Sequence, residues 1–281
     1  MADKKGKAGS FRPDFATLGG LVLAVGGILT GLMMEGGKIK DVAQITAAII
    51  VLGGTLGAVM VTTPSGVLLR AVKKLGLLFF DRTKPVAGTI EDLIGYAAQA
   101  RKQGIVSLEQ QAGAIADPFL RKALNLAVDG IDLSQIRSIM ELEITLVELD
   151  GEAEAKVYEA AGGYAPTIGI IGAVLGLIQV MKNLANIDEV GRGIAVAFVA
   201  TVYGVASANV FFLPAAAKLR ARVKDEVRRR ELMLEGVLSI VEGLNPKLIG
   251  IKLEAYMQER AKKAPSTGKG QLAQQPATAE G

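Results

Sequence analysis

The chain has 281 residues, half of them apolar, a mean hydropathy of +0.36, 32 Lys and Arg against 28 Asp and Glu, and neither His nor Cys. Without His or Cys, thiol chemistry, histidine acid–base catalysis and the Cys/His zinc sites are all excluded. The sequence pI of 9.2 follows from cations beside apolar stretches, and no aromatic or groove-reading motif accompanies Arg228–Arg230, so no nucleic-acid partner is expected.

Four stretches carry no Asp, Glu, Lys or Arg: Phe15–Met34, Val42–Leu69, Ala160–Met181 and Gly193–Ala217. A helix rises about 1.5 Å per residue, so roughly 20 apolar residues cross the hydrocarbon core, and each stretch is long enough. The 34 glycines suit membrane helices as well. The chain therefore reads as an all-α membrane protein with four spans. Its start, with Lys4, Lys5 and Lys7, resembles a signal-peptide n-region. The following apolar run is too long for one and lacks an Ala-x-Ala site, so it is read as an uncleaved first span.

The connection Glu35–Asp41 is electrically balanced, as is Lys182–Arg192. Cations instead precede the first span (Lys4, Lys5, Lys7, Arg12), follow the second (Arg70, Lys73, Lys74, Arg82, Lys84) and follow the fourth (Lys218, Arg220, Arg222, Lys224, Arg228–Arg230). The positive-inside rule then places both termini and the large loop in the cytoplasm. The expected organisation is a cytoplasmic N-terminus over 1–14, a hairpin of spans 1 and 2 over 15–69, and a cytoplasmic helical domain over 70–159. A hairpin of spans 3 and 4 over 160–217, a cytoplasmic helix over 218–261 and a polar disordered tail over 262–281 complete it.

In the large loop, a helix over Thr89–Gln103 is expected to stop at Gly104. Ser107 with Gln110 fits a capping box, and Asp117 before Pro118 places a capping carboxylate ahead of a proline at the first helical position. Gly130 ends that helix, and Asp132 with Gln135 starts the next. From Leu133 the apolar spacing is helical up to the third span. Ile136, Met140, Ile144 and Val147 follow one face, and Ile139, Leu142, Leu146 and Leu149 a neighbouring one. The third span is expected to continue this helix, and the fourth to continue through Lys218–Val241. No sheet is expected, because β-branched alternation is nowhere sustained.

Within the spans, Gly27-x-x-x-Gly31, Gly53-x-x-x-Gly57 and Gly172-x-x-x-Gly176 signal close helix packing. Pro166 opens the third span and Pro214 closes the fourth; each leaves a backbone carbonyl without its usual partner and allows a bend. Thr167, Gln179, Thr201, Tyr203, Ser207 and Asn209 are spread over spans 3 and 4, whereas the polar residues of spans 1 and 2 lie mostly near the ends. Such side chains usually bond to a neighbouring helix, the expectation for Ser207 and Asn209. For Thr201, at mid-span, lining a polar path competes with that role. A transporter or proton relay normally needs an intramembrane carboxylate or His. Here there is none, so either the chain moves nothing or a partner brings the ionisable group.

The segment from Gly163 through Pro166, Gly172 and Gly176 to Leu177, followed by Ala197 through Thr201, Gly204 and Asn209 to Pro214, closely resembles the MotA-type subunits of bacterial flagellar stators, in the MotA/TolQ/ExbB proton-channel superfamily. Four spans with both termini inside suit the MotA branch. The resemblance implies a homo-oligomeric ring, a pentamer, in the bacterial inner membrane. It also implies a MotB-type partner whose single span carries the essential Asp, a stator that turns ion-motive force into torque, and no cofactor, metal or catalytic residue. Pro166 and Pro214 match positions of conformational coupling, and Thr201, with Ala173 and Tyr203, matches the ion path. Arg101 and Glu109 match the stretch that contacts the rotor protein FliG. Sodium-type stators tend to carry Thr where Ala173 stands, and a methyl offers no oxygen to sodium, so Ala173 points to protons. Two other readings stay open: a TolQ- or ExbB-like energiser of the outer membrane, and a non-conducting membrane scaffold.

Overall fold

The computed structural model describes residues 12–81 and 86–263. Residues 264–281 of the expected tail and most of the basic N-terminal segment lie outside them, while 262 and 263 belong to the last helix. Among the described residues the helices are α1 (Phe15–Met34), α2 (Ile39–Val42), α3 (Ile45–Ala48), α4 (Gly54–Thr62), α5 (Ser65–Lys74), α6 (Gly76–Phe79) and α7 (Val86–Gln103). They continue with α8 (Glu109–Ala114), α9 (Pro118–Val128), α10 (Leu133–Lys182), α11 (Ile187–Ala206), α12 (Leu213–Val241) and α13 (Pro246–Lys263). A π-turn over Ile49–Gly53 joins α3 to α4, and another over Ser207–Phe212 joins α11 to α12. Four helical runs are long and apolar enough to cross a membrane: Phe15–Met34, Ile45–Thr62, Leu133–Lys182 and Ile187–Val241.

The chemistry of single residues explains where these helices start and stop. Asp14 caps α1, its Oδ1 accepting from the Thr17 N–H at 3.0 Å. The second apolar stretch is broken before its end, because Pro64 forces Thr63 into an extended conformation (φ −123°, ψ 129°). Asp117 caps α9 through the N–H groups of Phe119 and Leu120, with Pro118 at the first position, as expected. At Gly130 the backbone turns left-handed (φ +74°), and Asp132 accepts from the Ser134 N–H to open α10. Gly104, likewise left-handed, follows α7.

Two expectations need correction. Ser107 does not cap a helix: it lies within a 3₁₀ turn over Ile105–Leu108, and its hydroxyl donates to the Gly104 carbonyl at 2.6 Å. A short ladder also forms, with Arg12 opposite Asp81 and Pro13 opposite Phe80. Its cause is local anchoring, since the Asp14 N–H donates to the Phe79 carbonyl and Arg222 to the Phe80 carbonyl.

The described residues divide into two compact units, 12–81 with 141–228 and 86–140 with 229–263. Their boundaries fall inside α10 and α12 rather than at the ends of the charge-free stretches, because both helices continue through them. In the second unit the buried side chains include Leu93, Leu108, Phe119, Leu124, Ile136, Met140, Leu238, Ile249 and Leu253. In the first, one apolar cluster gathers Val59, Ala71, Leu78, Val157, Tyr158, Ala215 and Leu219, and a smaller one Ala47, Val51, Val199 and Ala200.

Candidate functional site

Helices α10 and α11 meet along a seam of glycine and alanine. A Cβ added at Gly169 would stand 2.9 Å from the Ala200 carbonyl oxygen, one at Gly172 2.7 Å from the Ala200 Cβ, and one at Gly176 2.8 Å from both the Ala197 nitrogen and the Gly193 oxygen. From the other side, a Cβ at Gly204 would stand 2.5 Å from the Ala165 oxygen and 3.2 Å from the Pro166 Cα. The seam thus runs antiparallel, with Gly169, Gly172 and Gly176 on α10 opposite Gly204, Ala200, Ala197 and Gly193 on α11. Backbones approach this closely only where side chains are absent, and without water between helices such packing is what holds them.

Pro166 lies in this seam, and α10 runs through it unbroken. Proline has no N–H for the carbonyl four residues before it, here that of Gly162, a loss of about 3 kcal/mol in a helix interior. Pro214 is exposed at the start of α12, directly after the π-turn Ser207–Phe212. Each proline therefore marks a point where the backbone ladder is already weakened and bending is easiest.

The polar side chains of spans 3 and 4 mostly bond to their own helix. Thr201 donates to the Ala197 carbonyl at 3.2 Å, Thr167 to Tyr164, Ser207 to Gly204 and Asn209 to Val205. The expectation that Ser207 and Asn209 would bond to a neighbouring helix is not met. Carbonyls three or four residues back in the same helix lie within reach and take these bonds. Tyr203 is different. Its hydroxyl donates to the Val42 carbonyl at 2.5 Å and accepts from the Gln44 N–H at 3.3 Å, tying span 4 to the start of span 2. Ala173 and Thr201 are half-buried, while Gln179 is exposed. Thr55, fully buried in span 2, has a hydroxyl with no hydrogen-bond partner among the described residues.

The glycine motifs separate. Gly172 and Gly176 make close approaches, but at Gly27, Gly31, Gly53 and Gly57 an added Cβ would meet nothing within 4 Å among the described residues. In the second span it is Gly54 that lies close to a neighbour, with the Ile168 Cγ2 at 2.8 Å from its added Cβ.

Sequence reasoning did not single out Asp14. Its carboxylate pairs with Lys218, and with Arg222 at 3.2 Å, while the Lys218 ammonium also donates to the Thr17 hydroxyl. The Lys218 hydrogen bond, with the Thr17 N–H, holds this carboxyl well below the usual carboxylate range. The only sequence signal was Asp-x-x-Thr just before an apolar run. Glu154 is a second such group, a buried carboxylate with Lys74 at 2.5 Å and Arg70 at 3.5 Å.

In the other unit, Arg101 lies in the last turn of α7 and Glu109 begins α8, both exposed on either side of the Gly104 turn. The turn is braced from beneath: Gln99 Nε2 donates to the Ser107 carbonyl at 2.9 Å, and Gln111 donates to Gln99 at 2.5 Å. Close by in sequence, Asp117 receives Arg229 at 2.5 Å, and the Arg230 guanidinium lies 5.1 Å above the Phe119 ring. Burial alone would raise the Asp117 pKa, but Arg229 and the two capping N–H groups outweigh it and lower it.

A family model described as the MotA/TolQ/ExbB proton channel family matches residues 111–232. Motility protein A of Bacillus subtilis (strain 168) is 38% identical over 251 residues, covering 87% of this chain and 91% of that protein. Chemotaxis protein PomA of Vibrio alginolyticus is 32% identical over 88% of this chain and 96% of its own. Among solved structures, the flagellar MotAB stator complex from Bacillus subtilis aligns with a TM-score of 0.81 at 36% identity, covering 89% of this chain and 100% of that one. The C. jejuni MotAB structure aligns at 0.83 with 32% identity, over 86% and 95%.

Proposed function

Because the chain belongs to the MotA/TolQ/ExbB proton channel family, we infer that it is a stator subunit of the flagellar motor, a multi-pass membrane protein that works with a MotB-type partner in an ion-conducting, torque-generating complex. The observation that carries this reading is the seam itself. Spans 3 and 4 hold no carboxylate, yet they pack backbone to backbone around a proline, beside a π-turn and a second proline. Such an arrangement can form walls and bend, but it cannot titrate.

The ionisable group then comes from the partner, as an Asp on its single span. Protonation of that Asp alters its contacts with the seam helices, and the weakened ladders at Pro166 and Pro214 let the change pass along α10 and α12. Thr201, Ala173 and Tyr203 border the path. Of these, Ala173 brings only a methyl group, which suits a proton better than sodium. Arg101 and Glu109, held out by the braced turn, are the contacts offered to the rotor protein FliG. The copies form a pentameric ring in the bacterial inner membrane, with both termini and the 70–159 loop in the cytoplasm, in keeping with the cations beside those segments. On this reading the chain is a channel and lever rather than an enzyme.

The test is to co-express the chain with a MotB-type partner lacking its plug segment and to follow cytoplasmic acidification. Acidification that depends on the partner's Asp is expected. If both proteins reach the membrane and no acidification follows, ion translocation is lost as an explanation. Thr201→Ala should slow swimming only mildly, since its hydroxyl bonds within its own helix.

A further inference from the structure

The first span has few attachments to the rest of its unit. No residue of α1 is buried, yet it touches the fourth membrane segment at two levels. Along its side it packs against the π-turn Ser207–Phe212. At its start, Asp14 holds Lys218 and Arg222 of α12. Pro214 lies between these levels, and Lys218 and Arg222 follow it at steps of four on one helix face. The same groups also hold the chain after α6, for the Asp14 N–H donates to the Phe79 carbonyl at 2.8 Å and Arg222 to the Phe80 carbonyl at 2.7 Å. A bend of the fourth segment at Pro214 must therefore either move α1 or break this cluster.

We propose that Asp14 is a positioning residue of the motor reaction: through Lys218 and Arg222 it makes α1 follow α12 when the fourth segment bends at the π-turn and Pro214. Lys218, Arg222 and Asp14 are each only about a quarter exposed or less, so the pairs are partly shielded from water and are worth more than a surface ion pair. A plain helix cap would need only the Thr17 N–H. Two cations from a distant helix on the same carboxylate are more than capping requires.

The proposal rests on the stator reading, and two sets of variants of the full chain test it beside its partner. Asp14→Asn keeps an acceptor for the Thr17 N–H but removes the charge. Lys218→Met with Arg222→Met removes the cations and leaves the cap. Each is expected to slow swimming about fivefold or more while acidification through the plug-less partner stays within about twofold of wild type. The triple variant should be no slower than either, and Asp14→Glu, which keeps the charge, should swim faster than Asp14→Asn. Wild-type swimming of Asp14→Asn would show that Asp14 is only a cap and overturn the proposal. A parallel loss of swimming and acidification, with less protein in the membrane, would overturn it too, because it marks a folding defect. If the wild-type chain itself does not acidify the cell, the stator reading fails first and takes the proposal with it. Intact wild-type conduction with indifferent variants sinks the proposal alone.

Discussion

Gly27-x-x-x-Gly31 in α1 and Gly172-x-x-x-Gly176 in α10 have the same spacing and opposite surroundings. The second lies so close to Gly193, Ala197 and Ala200 that a methyl group would overlap the Ala200 Cβ at Gly172 and backbone atoms at Gly176; the first faces nothing within 4 Å among the described residues. A small-residue motif therefore states only that a close approach is sterically possible. Whether one occurs depends on equally small residues on the opposing helix, which α11 supplies to α10 and no helix among the described residues supplies to α1. The seam is closed by one opposing helix, whereas α1 meets the π-turn Ser207–Phe212, α6 and α2 without burying a residue.

The largest expected effect comes from filling the seam. Gly204→Val would put side-chain carbons where the Ala165 carbonyl and the Pro166 backbone already stand. Overpacking commonly costs about 1–3 kcal/mol, and a site walled by backbone has no rotamer to yield, so a loss of about 3 kcal/mol is expected. Thermal unfolding in detergent should show a clearly lowered midpoint. A midpoint equal to wild type would mean that the helices separate at no cost, and the contrast with α1 would collapse.

Pro166→Leu probes the same seam in the other direction. Restoring the N–H to the Gly162 carbonyl removes a helix defect of about 3 kcal/mol, so the variant should be at least as stable as wild type. Swimming should nevertheless fall severely if, as proposed, the weakened point in α10 is where the helix bends. Stability and function moving in opposite directions would separate this proline from the glycines around it. Normal swimming would remove Pro166 from the coupling assignment.

Two smaller changes extend the comparison to single polar contacts. Asp117→Asn keeps the cap of α9 but loses the charge that holds Arg229, for an expected loss of about 1 kcal/mol at neutral pH. The folded Asp117 pKa lies below its unfolded value, so its stabilisation is full above the ordinary carboxylate pKa and is lost as the pH falls through the folded one. The stability gap between variant and wild type should close in acid; a gap independent of pH would assign the effect to packing. Tyr203→Phe removes the hydroxyl shared by Val42 and Gln44 and should cost about 1 kcal/mol in the same thermal assay. An unchanged midpoint would show that span 2 is seated by its apolar contacts alone.

Much of this molecule was legible in the sequence because the signals were local. The absence of charge marked all four spans, and Asp117, Pro118, Gly130 and Asp132 set the helix ends where capping chemistry requires them. Pro166, Thr201 and Pro214 stood out because they interrupt otherwise apolar segments. What could not be read depends on distant parts of the chain meeting. Gly169, Gly193 and Gly204 fit no Gly-x-x-x-Gly pair, so their role emerges only once α10 and α11 run antiparallel. Asp14 and Lys218 are separated by most of the chain, and Asp14 stands just outside an apolar run, where a carboxylate has an ordinary reason to be. Ser107 failed for a related reason. A capping box has the letters of a helix start, but the Ser107 hydroxyl bonds back to the Gly104 carbonyl.

The smallest expected effect is also the sharpest probe of the opening contrast. Gly31→Ala adds one methyl group to an exposed position of α1 that has open space around it. Alanine favours the helix over glycine by about 1 kcal/mol in soluble hosts, so the isolated chain should lose no stability, and any change should stay within about 0.5 kcal/mol. The matching substitution at Gly176, where the added carbon would meet the Ala197 nitrogen and the Gly193 oxygen at 2.8 Å, must force the helices apart. Measured side by side in detergent, a drop at Gly176 with none at Gly31 would show that the two motifs differ by what opposes them. Equal drops would mean that Gly31 itself faces a helix of its own chain after all. If Gly31→Ala leaves the chain's own midpoint unchanged but weakens the assembled complex, then the open face of α1 is closed by another chain, and the motif there belongs to the assembly rather than to the fold.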